Sequence, residues 1–257
     1  MKHSTSNKSL HLFGVILWLF IWQILSMIIK EEILMVSPLI VIKALWKMIL
    51  EKDFWQRVFI SFGKITVGFF LGALGGSVMG AFSYKSKFAY ALISPINQII
   101  KSTPIASFII LLLFWVKSSN ISIIISFLIV FPLFYSNIRE GAENTDIKML
   151  QMAEIYNFST KNKILYIYFP EIMPYFISAC SMGLGMCWKA GIAAEVIATP
   201  QNSIGDALYR SKINLDTAYL FAWTAVIIFI SVAFEKIFLK IIQKLNEIFY
   251  KKENLND

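Results

Sequence analysis

The sequence predicts an all-α integral membrane protein with about six transmembrane helices and a structured loop on the cytoplasmic side. Three observations predict it. Hydrophobic residues make up 57% of the 257 positions and charged ones 16%, with a mean hydropathy of +0.65, far from soluble averages. Apolar stretches recur near 12–29, 58–82, 93–116, 121–138, 172–198 and 218–239, close to the ~20 residues a helix needs to cross a bilayer. Small residues repeat every fourth position in two of these stretches, a spacing that suits close packing of helices in lipid.

The first stretch follows Lys2 and Lys8 as a signal peptide would, but Leu12 to Ile29 is long enough to span and lacks a small-residue cleavage site. It reads as a retained first helix. Beyond it, Ser37 can cap a helix and Pro38 suits the first helical position. Leu39, Ile42, Leu45, Trp46 and Ile49 follow at helical spacing, and Trp46 and Trp55 sit where aromatic residues mark a membrane interface. An amphipathic helix on the outer surface is expected over about 37–52.

The second stretch carries Gly68, Gly72, Gly76 and Gly80, and the fifth repeats the device with Ala179, Gly183, Cys187 and Gly191, a step that continues to Glu195. Both ladders let helix backbones approach. The third stretch is interrupted by Lys101 and Pro104, leaving only Ile105 to Val116 cleanly apolar. A broken helix lining a protein interior fits it, and so does a short re-entrant segment.

Lysine and arginine outside the spans set the orientation. With the N-terminus in the cytoplasm, twelve fall inside: Lys2, Lys8, Lys85, Lys87, Arg139, Lys148, Lys161, Lys163, Lys240, Lys244, Lys251 and Lys252. Eight fall outside, five of them in one loop with Glu31, Glu32, Glu51 and Asp53. Both termini are therefore expected in the cytoplasm, with 30–57 and 199–217 outside.

The net charge of +8 does not indicate nucleic acid, because the lysines lie between apolar runs and form no basic face with stacking aromatics. Anionic lipid headgroups account for them. Cys180 and Cys187 are seven residues apart in one helix, roughly 10 Å along its axis and too far for a disulfide. His3 and His11 have no ligand cluster nearby, so neither metal nor cofactor is expected.

The longest inner loop, about 136–171, is not a linker. Met149, Met152, Ala153 and Tyr156 fall at i, i+3, i+4 and i+7 and give a short helix an apolar stripe. Asn157 tolerates the left-handed conformation that ends a helix, Ser159 can cap the next, and Pro170 and Pro174 limit its extent. Two short helices follow. Their apolar stripe needs a cover, either a groove on a partner or the chain's own surface.

The segment Gln151 to Pro170 resembles the cytoplasmic coupling motif of ABC importer permeases: Glu-Ala-Ala, three residues, Gly, nine residues, Ile, one residue, Leu-Pro. Gln151, Met152 and Ala153 stand on the opening triplet, Asn157 on the glycine, Ile167 on the isoleucine, and Phe169 with Pro170 on the closing pair. Three positions match and the spacing is kept. Asn157 preserves the turn, since Asn is the next most tolerant residue there, and Phe169 preserves bulk.

Further segments resemble the nitrate, sulfonate and taurine group of that family, from about Ser37 onward. Val36-Ser37-Pro38-Leu39 is similar to the opening of its outer helix. Ser61, Lys64, Gly68 and Phe69 are similar to its Ser-x-x-Arg-x-x-x-Gly-Phe pattern, with Lys for Arg, and Trp188-Lys189 with Ala193-Ala194-Glu195 to its fifth span.

The resemblance implies a type I importer fold: one permease domain over 1–257, with its core at about 58–239 and its coupling loop at 136–171. It implies a multi-pass protein of the cell membrane that pairs with a second permease copy, a homodimer by expectation. Gln151, Met152, Ala153, Tyr156, Asn157, Ile167, Phe169 and Pro170 would dock on cytoplasmic ATP-binding subunits, while an extracytoplasmic binding protein delivers substrate. The chain itself should not bind ATP. Its only Gly-Lys pair, Gly63-Lys64, has Val58 where a phosphate-binding loop needs its first glycine and Ile65 where it needs Ser or Thr.

Charges within or near the spans are candidates for the translocation pathway: Lys64, Lys101, Lys189 with its neighbour Trp188, and Glu195. Lys64, Lys101 and Glu195 can also snorkel from helix ends, whereas Lys189 lies deeper. A lysine-lined pathway favours an anionic solute such as nitrate, a sulfonate or taurine. The same family also carries thiamine-precursor pyrimidines and other solutes. An integral membrane enzyme lacks support, because the spans hold no paired carboxylates, Ser or Cys nucleophile with His, or His cluster. A proton-coupled secondary transporter would have to work with Glu195 alone and without an evident inverted repeat.

Overall fold

The computed structural model describes residues 4–29, 31 and 35–253. Of the positions singled out above, Lys2, His3 and Glu32 lie outside them. The described chain forms eleven α-helices: α1 (Ser4–Ile29), α2 (Pro38–Ile49), α3 (Lys52–Lys85), α4 (Lys87–Ser102), α5 (Ile105–Leu112), α6 (Ile121–Glu143), α7 (Ile147–Ile155), α8 (Thr160–Lys163), α9 (Phe169–Ala198), α10 (Ile204–Ile213) and α11 (Thr217–Glu253). A π turn at Ile164–Tyr168 joins α8 to α9.

Residues Lys52–Lys85, Ser118–Glu143 and Thr160–Ala198 are each long and apolar enough to cross a bilayer. Uncharged stretches at 12–29 in α1 and 217–234 in α11 meet the same need.

The glycine ladder of α3 sets the centre of the bundle. Gly68 packs on the Ile123 carbonyl of α6, and a Cβ on Gly72 would stand 2.9 Å from Phe127 O. On Gly76 it would stand 2.5 Å from Phe131 O, and on Gly80 2.7 Å from Tyr135 O. Each rung advances four residues on both helices, so α3 and α6 run parallel with their backbones in contact. On α9, Gly183 meets Phe69 and Phe134, while Gly191 meets Ile65 and Ser126. Rising numbers on one side meet falling numbers on the other, so α9 runs antiparallel to the pair.

Aromatic contacts place the outer helices. Phe54 stacks on Trp223 at 5.1 Å, Phe62 meets Phe234 at 5.0 Å and Phe69 meets Phe238 at 5.5 Å, so α11 runs parallel to α3. Trp22, near the end of α1, contacts Phe221 near the start of α11 at 5.6 Å. The short helices then fall at opposite ends: α2 and α10 where α3, α6 and α11 begin, α7 and α8 where α6 ends and α9 begins.

Parallel packing of α3 and α6 decides the nature of the third stretch. The chain between them must return from the end of one to the beginning of the other, which a re-entrant loop would not do. The return is made by a helix pair bent by 103° at Thr103–Pro104. It differs from the expected span at 93–116, because α4 does not run along the bundle. Arg139 lies over the Tyr90 ring at 3.8 Å and Lys101 Nζ donates to Ser136 Oγ at 2.7 Å. About 16 Å of helix from Tyr90 to Lys101 thus advances along α6 by less than one turn, and α4 lies across the bundle. The crossing belongs to the residues after it, since Ile109 packs with Ile121, Ile125, Ala190 and Ala194 toward the opposite end.

Ser37 caps α2 by accepting from Ile40 N–H, with Pro38 at its start, as the sequence predicts. The buried face differs from the expected one: Val41, Ala44 and Met48 face the bundle, and Leu39, Ile42 and Trp46 face outward. With apolar residues on nearly every side, the smaller ones pack and the larger ones are left for lipid.

Candidate functional site

The α7 end holds the residues expected to couple. Asp146 caps α7 by accepting from Lys148 N–H at 2.8 Å. At the other terminus Asn157 takes φ 50°, the left-handed conformation the sequence reading assigned to it. Its N–H donates to Glu154 O at 3.0 Å while Phe158 N–H donates to Ala153 O at 2.8 Å, the paired bonds of a Schellman turn. Ser159 then caps α8 through Asn162 N–H. Lys163 lies 3.9 Å from Glu154 and bridges the two short helices.

Burial divides the expected stripe in two. Ala153 is fully buried within the subunit, whereas Ile155 is 79% and Tyr156 71% exposed. Gln151, Met149, Met152 and Ile147 are exposed with them. The exposed apolar residues of α7 and its C-terminus are therefore Ile147, Met149, Met152, Ile155 and Tyr156, and Ala153 seats the helix on the bundle. Sequence spacing could not separate these, because every position of the stripe is apolar.

Pro170 and Pro174 do not end the second short helix as expected. The chain runs on helically from Thr160 to Ala198. Phe169 N–H donates to Ile164 O, five residues back, and this π turn lets the helix pass Pro170, whose ring has no N–H to give. Ile167 is buried, Phe169 is exposed and Pro170 half-buried. Tyr168 reaches Tyr84 at the end of α3, with the hydroxyls 3.3 Å apart.

The expected pathway residues separate. Lys189 is exposed on α9, on one face with Met182, Met186, Ala193 and Ile197. Trp188 does not share that face: it is 1% exposed and packs on Phe62 at 5.7 Å. One helical residue turns the chain by about 100°, which carries Trp188 into the core and off any surface pathway.

Glu195 is also fully buried, and it does not snorkel. Its Oε2 accepts from Ser61 Oγ at 2.7 Å and from Gly205 N–H at 3.2 Å, and Ser61 Oγ accepts from Ile204 N–H at 2.9 Å. The carboxylate thus occupies the first turn of α10, where free N–H groups and the helix dipole favour an anion. Gly205 has no room for a Cβ against the α9 backbone. One layer out, Arg57 donates to Asp206 at 2.9 Å and to Ser203 O at 3.4 Å. Together these bonds tie α3, α9 and α10. Ser61 and Glu195 stood in separate motifs of the sequence, and nothing local indicated that they meet.

The pattern of the family described as "Binding-protein-dependent transport system inner membrane component" matches residues 64–247. The chain is similar to the nitrate import permease protein NrtB of Synechococcus elongatus, 24% identical over 192 residues, 70% of this chain and 68% of that protein. It is similar to the putative aliphatic sulfonates transport permease protein SsuC of Escherichia coli, 26% identical over 201 residues, 77% and 75%. It is also similar to the taurine transport system permease protein TauC of Escherichia coli, 22% identical over 187 residues, 72% and 68%. A crystal structure of an amino acid ABC transporter with histidines overlaps it with TM-score 0.48 and 17% identity, over 74% of this chain and 91% of that one. The matched pattern runs from within α3 into α11, and the chain belongs to the family of binding-protein-dependent transport system inner membrane components, permease subunits rather than enzymes.

Proposed function

We propose that the chain forms the solute pathway of an ATP-driven importer and couples it, through α7 and the Asn157 turn, to an ATP-hydrolysing partner. The carrying observation is the apolar face of α7, exposed at the tip of the bundle while its small residue Ala153 is buried. Folding back on its own subunit would have covered Ile155 and Tyr156. A short helix offering isoleucine, methionine and tyrosine suits a hydrophobic groove on another protein.

The α7 end lies in the cytoplasm in this reading, supported by the excess of lysine and arginine there. The α2 and α10 end then faces the external binding protein, and a second copy of the chain completes the pathway. Lys64, Lys101 and exposed Lys189 are its cationic candidates. Trp188 and Glu195 serve packing and the α10 clasp instead. The substrate is a small anion, supported by these lysines and by relatives named for nitrate, sulfonates, taurine and bicarbonate.

Copurification of an ATPase with the full chain tests the coupling. Ile155→Asp should weaken that association by about 2 kcal/mol or more, as loss of an apolar anchor does, and leave membrane insertion unchanged. Undiminished copurification and stimulated hydrolysis with Ile155→Asp would remove α7 from the interface.

A further inference from the structure

Near the end of α3, that helix and α9 part and leave a groove of about 360 Å³. Val78 and Ala81 of α3 line one side, Phe169, Met173 and Phe176 of α9 the other, and Ile138 of α6 lies between them. The α9 face that meets the bundle with Ala179 and Gly183 carries these larger residues over the preceding three turns. Side chains of that size hold helices apart where small ones let them close. Ser77 brings the one hydroxyl of the lining, and its Oγ is buried, so the surface offered is hydrocarbon. Val78 is 53% and Phe169 38% exposed, and the groove opens on the outside of the subunit. Just past it, Tyr84 and Tyr168 bring their hydroxyls to 3.3 Å across the two helices.

The α3 side of the groove belongs to the uncharged stretch 65–84, which is long enough to lie in the hydrocarbon of a bilayer. Apolar walls left bare forfeit their dispersion contacts, and in a bilayer the filler at hand is an acyl chain. A small hydrophilic solute finds no partner there. The same end presents cations. Lys85 follows Ala81 by one turn on the same side of α3, and Lys161 precedes Phe169 by eight residues, roughly 12 Å of helix. Both are exposed, and among the described residues neither is in an ion pair. The Tyr84 and Tyr168 hydroxyls share one proton between them and leave the other free to donate. Tyrosine and lysine at the end of an apolar stretch are the groups that meet lipid headgroups, and cations select negative ones.

We propose that the groove between α3 and α9 binds an acyl chain of an anionic phospholipid, with Lys85 and Lys161 holding its phosphate headgroup. The site depends on the membrane-spanning fold alone, whatever the solute carried and whatever docks on α7. A second copy seated on the exposed Met182, Met186 and Lys189 face of α9 would leave it open, because the groove is turned about 100° round that helix.

The test uses the full chain in its assembled complex, in bilayers of equal phosphatidylglycerol and phosphatidylcholine, with a photoreactive diazirine on the acyl chain of one lipid at a time. Photolysis and peptide mapping should place adducts on Val78, Ala81 and Met173, with phosphatidylglycerol ahead by on the order of fivefold. Lys85→Gln combined with Lys161→Gln should bring the two lipids level without removing the adducts. Ala81→Trp fills the groove and should remove them, while adducts at Leu74 and Phe229, exposed elsewhere at 66% and 75%, should remain. Absence of adducts in the groove would mean that protein covers it in the complex and would overturn the site. Adducts spread evenly over the groove, Leu74 and Phe229, or surviving Ala81→Trp, would reduce it to the general lipid shell. Equal labelling by both lipids, or a preference untouched by the paired lysine variant, would remove the anionic headgroup from the proposal and so refute it.

Discussion

Substitution of Asn157 tests the proposed coupling role of its turn most directly, because its backbone geometry fixes the expected order of effects. The residue holds φ 50° and its turn closes with bonds of 3.0 and 2.8 Å. Asn157→Gly meets the same backbone demand and should be neutral, or stabilising by a few tenths of a kcal/mol. Asn157→Val places a branched Cβ in the left-handed region, at a cost of about 1–2 kcal/mol or more. If the turn opens instead, the two bonds are lost at about 0.5–1.5 kcal/mol each. Either route weakens α7, which at nine residues is too short to hold itself and depends on its caps. A loss of about 1.4 kcal/mol raises the population of the opened helix about tenfold. Hydrogen exchange over 147–163 in the full chain should therefore speed up about tenfold for Val and stay unchanged for Gly, with ATPase stimulation falling in parallel. Equal protection in the Val and Gly variants would refute the assignment of Asn157 as the turn that holds α7.

Two more outcomes follow from the same geometry. Gly76→Ala should destabilise by about 1–3 kcal/mol, because its Cβ meets the Phe131 carbonyl at 2.5 Å and backbone cannot step aside. Gly63→Ala on the same helix has nothing within 4 Å and should gain up to about 1 kcal/mol of helix propensity; thermal unfolding in detergent separates the two. For orientation, Ser159→Cys should escape an impermeant thiol reagent in intact cells and react after permeabilisation. Labelling in intact cells would place the α7 end outside.

Much of this protein is legible because a bilayer imposes local rules. A helix must carry its own hydrogen bonds and an apolar length, so the crossing segments show in hydropathy alone. The four-residue ladders at Gly68–Gly80 and Ala179–Gly191 announce close approach for the same local reason, since the absence of a side chain is visible without its neighbour. Ser37, Asn157 and Ser159 act within a turn or two of their own positions, and each caps or turns the chain as its chemistry predicts.

What the tertiary structure alone decided is which side of an apolar helix meets protein, and in which direction a helix runs. Leu39 and Val41, or Met152 and Ala153, are equally apolar, and only the packing of neighbours turns Val41 and Ala153 inward. The break at Lys101 and Pro104 was plain in the sequence, but the course of α4 across the bundle depends on Arg139 and Ser136, some forty residues away. Likewise Ser61, Glu195 and Gly205 come together from three helices. Contacts at such separation leave no period in the chain, so they are decided by the geometry of the packed bundle and by nothing nearer.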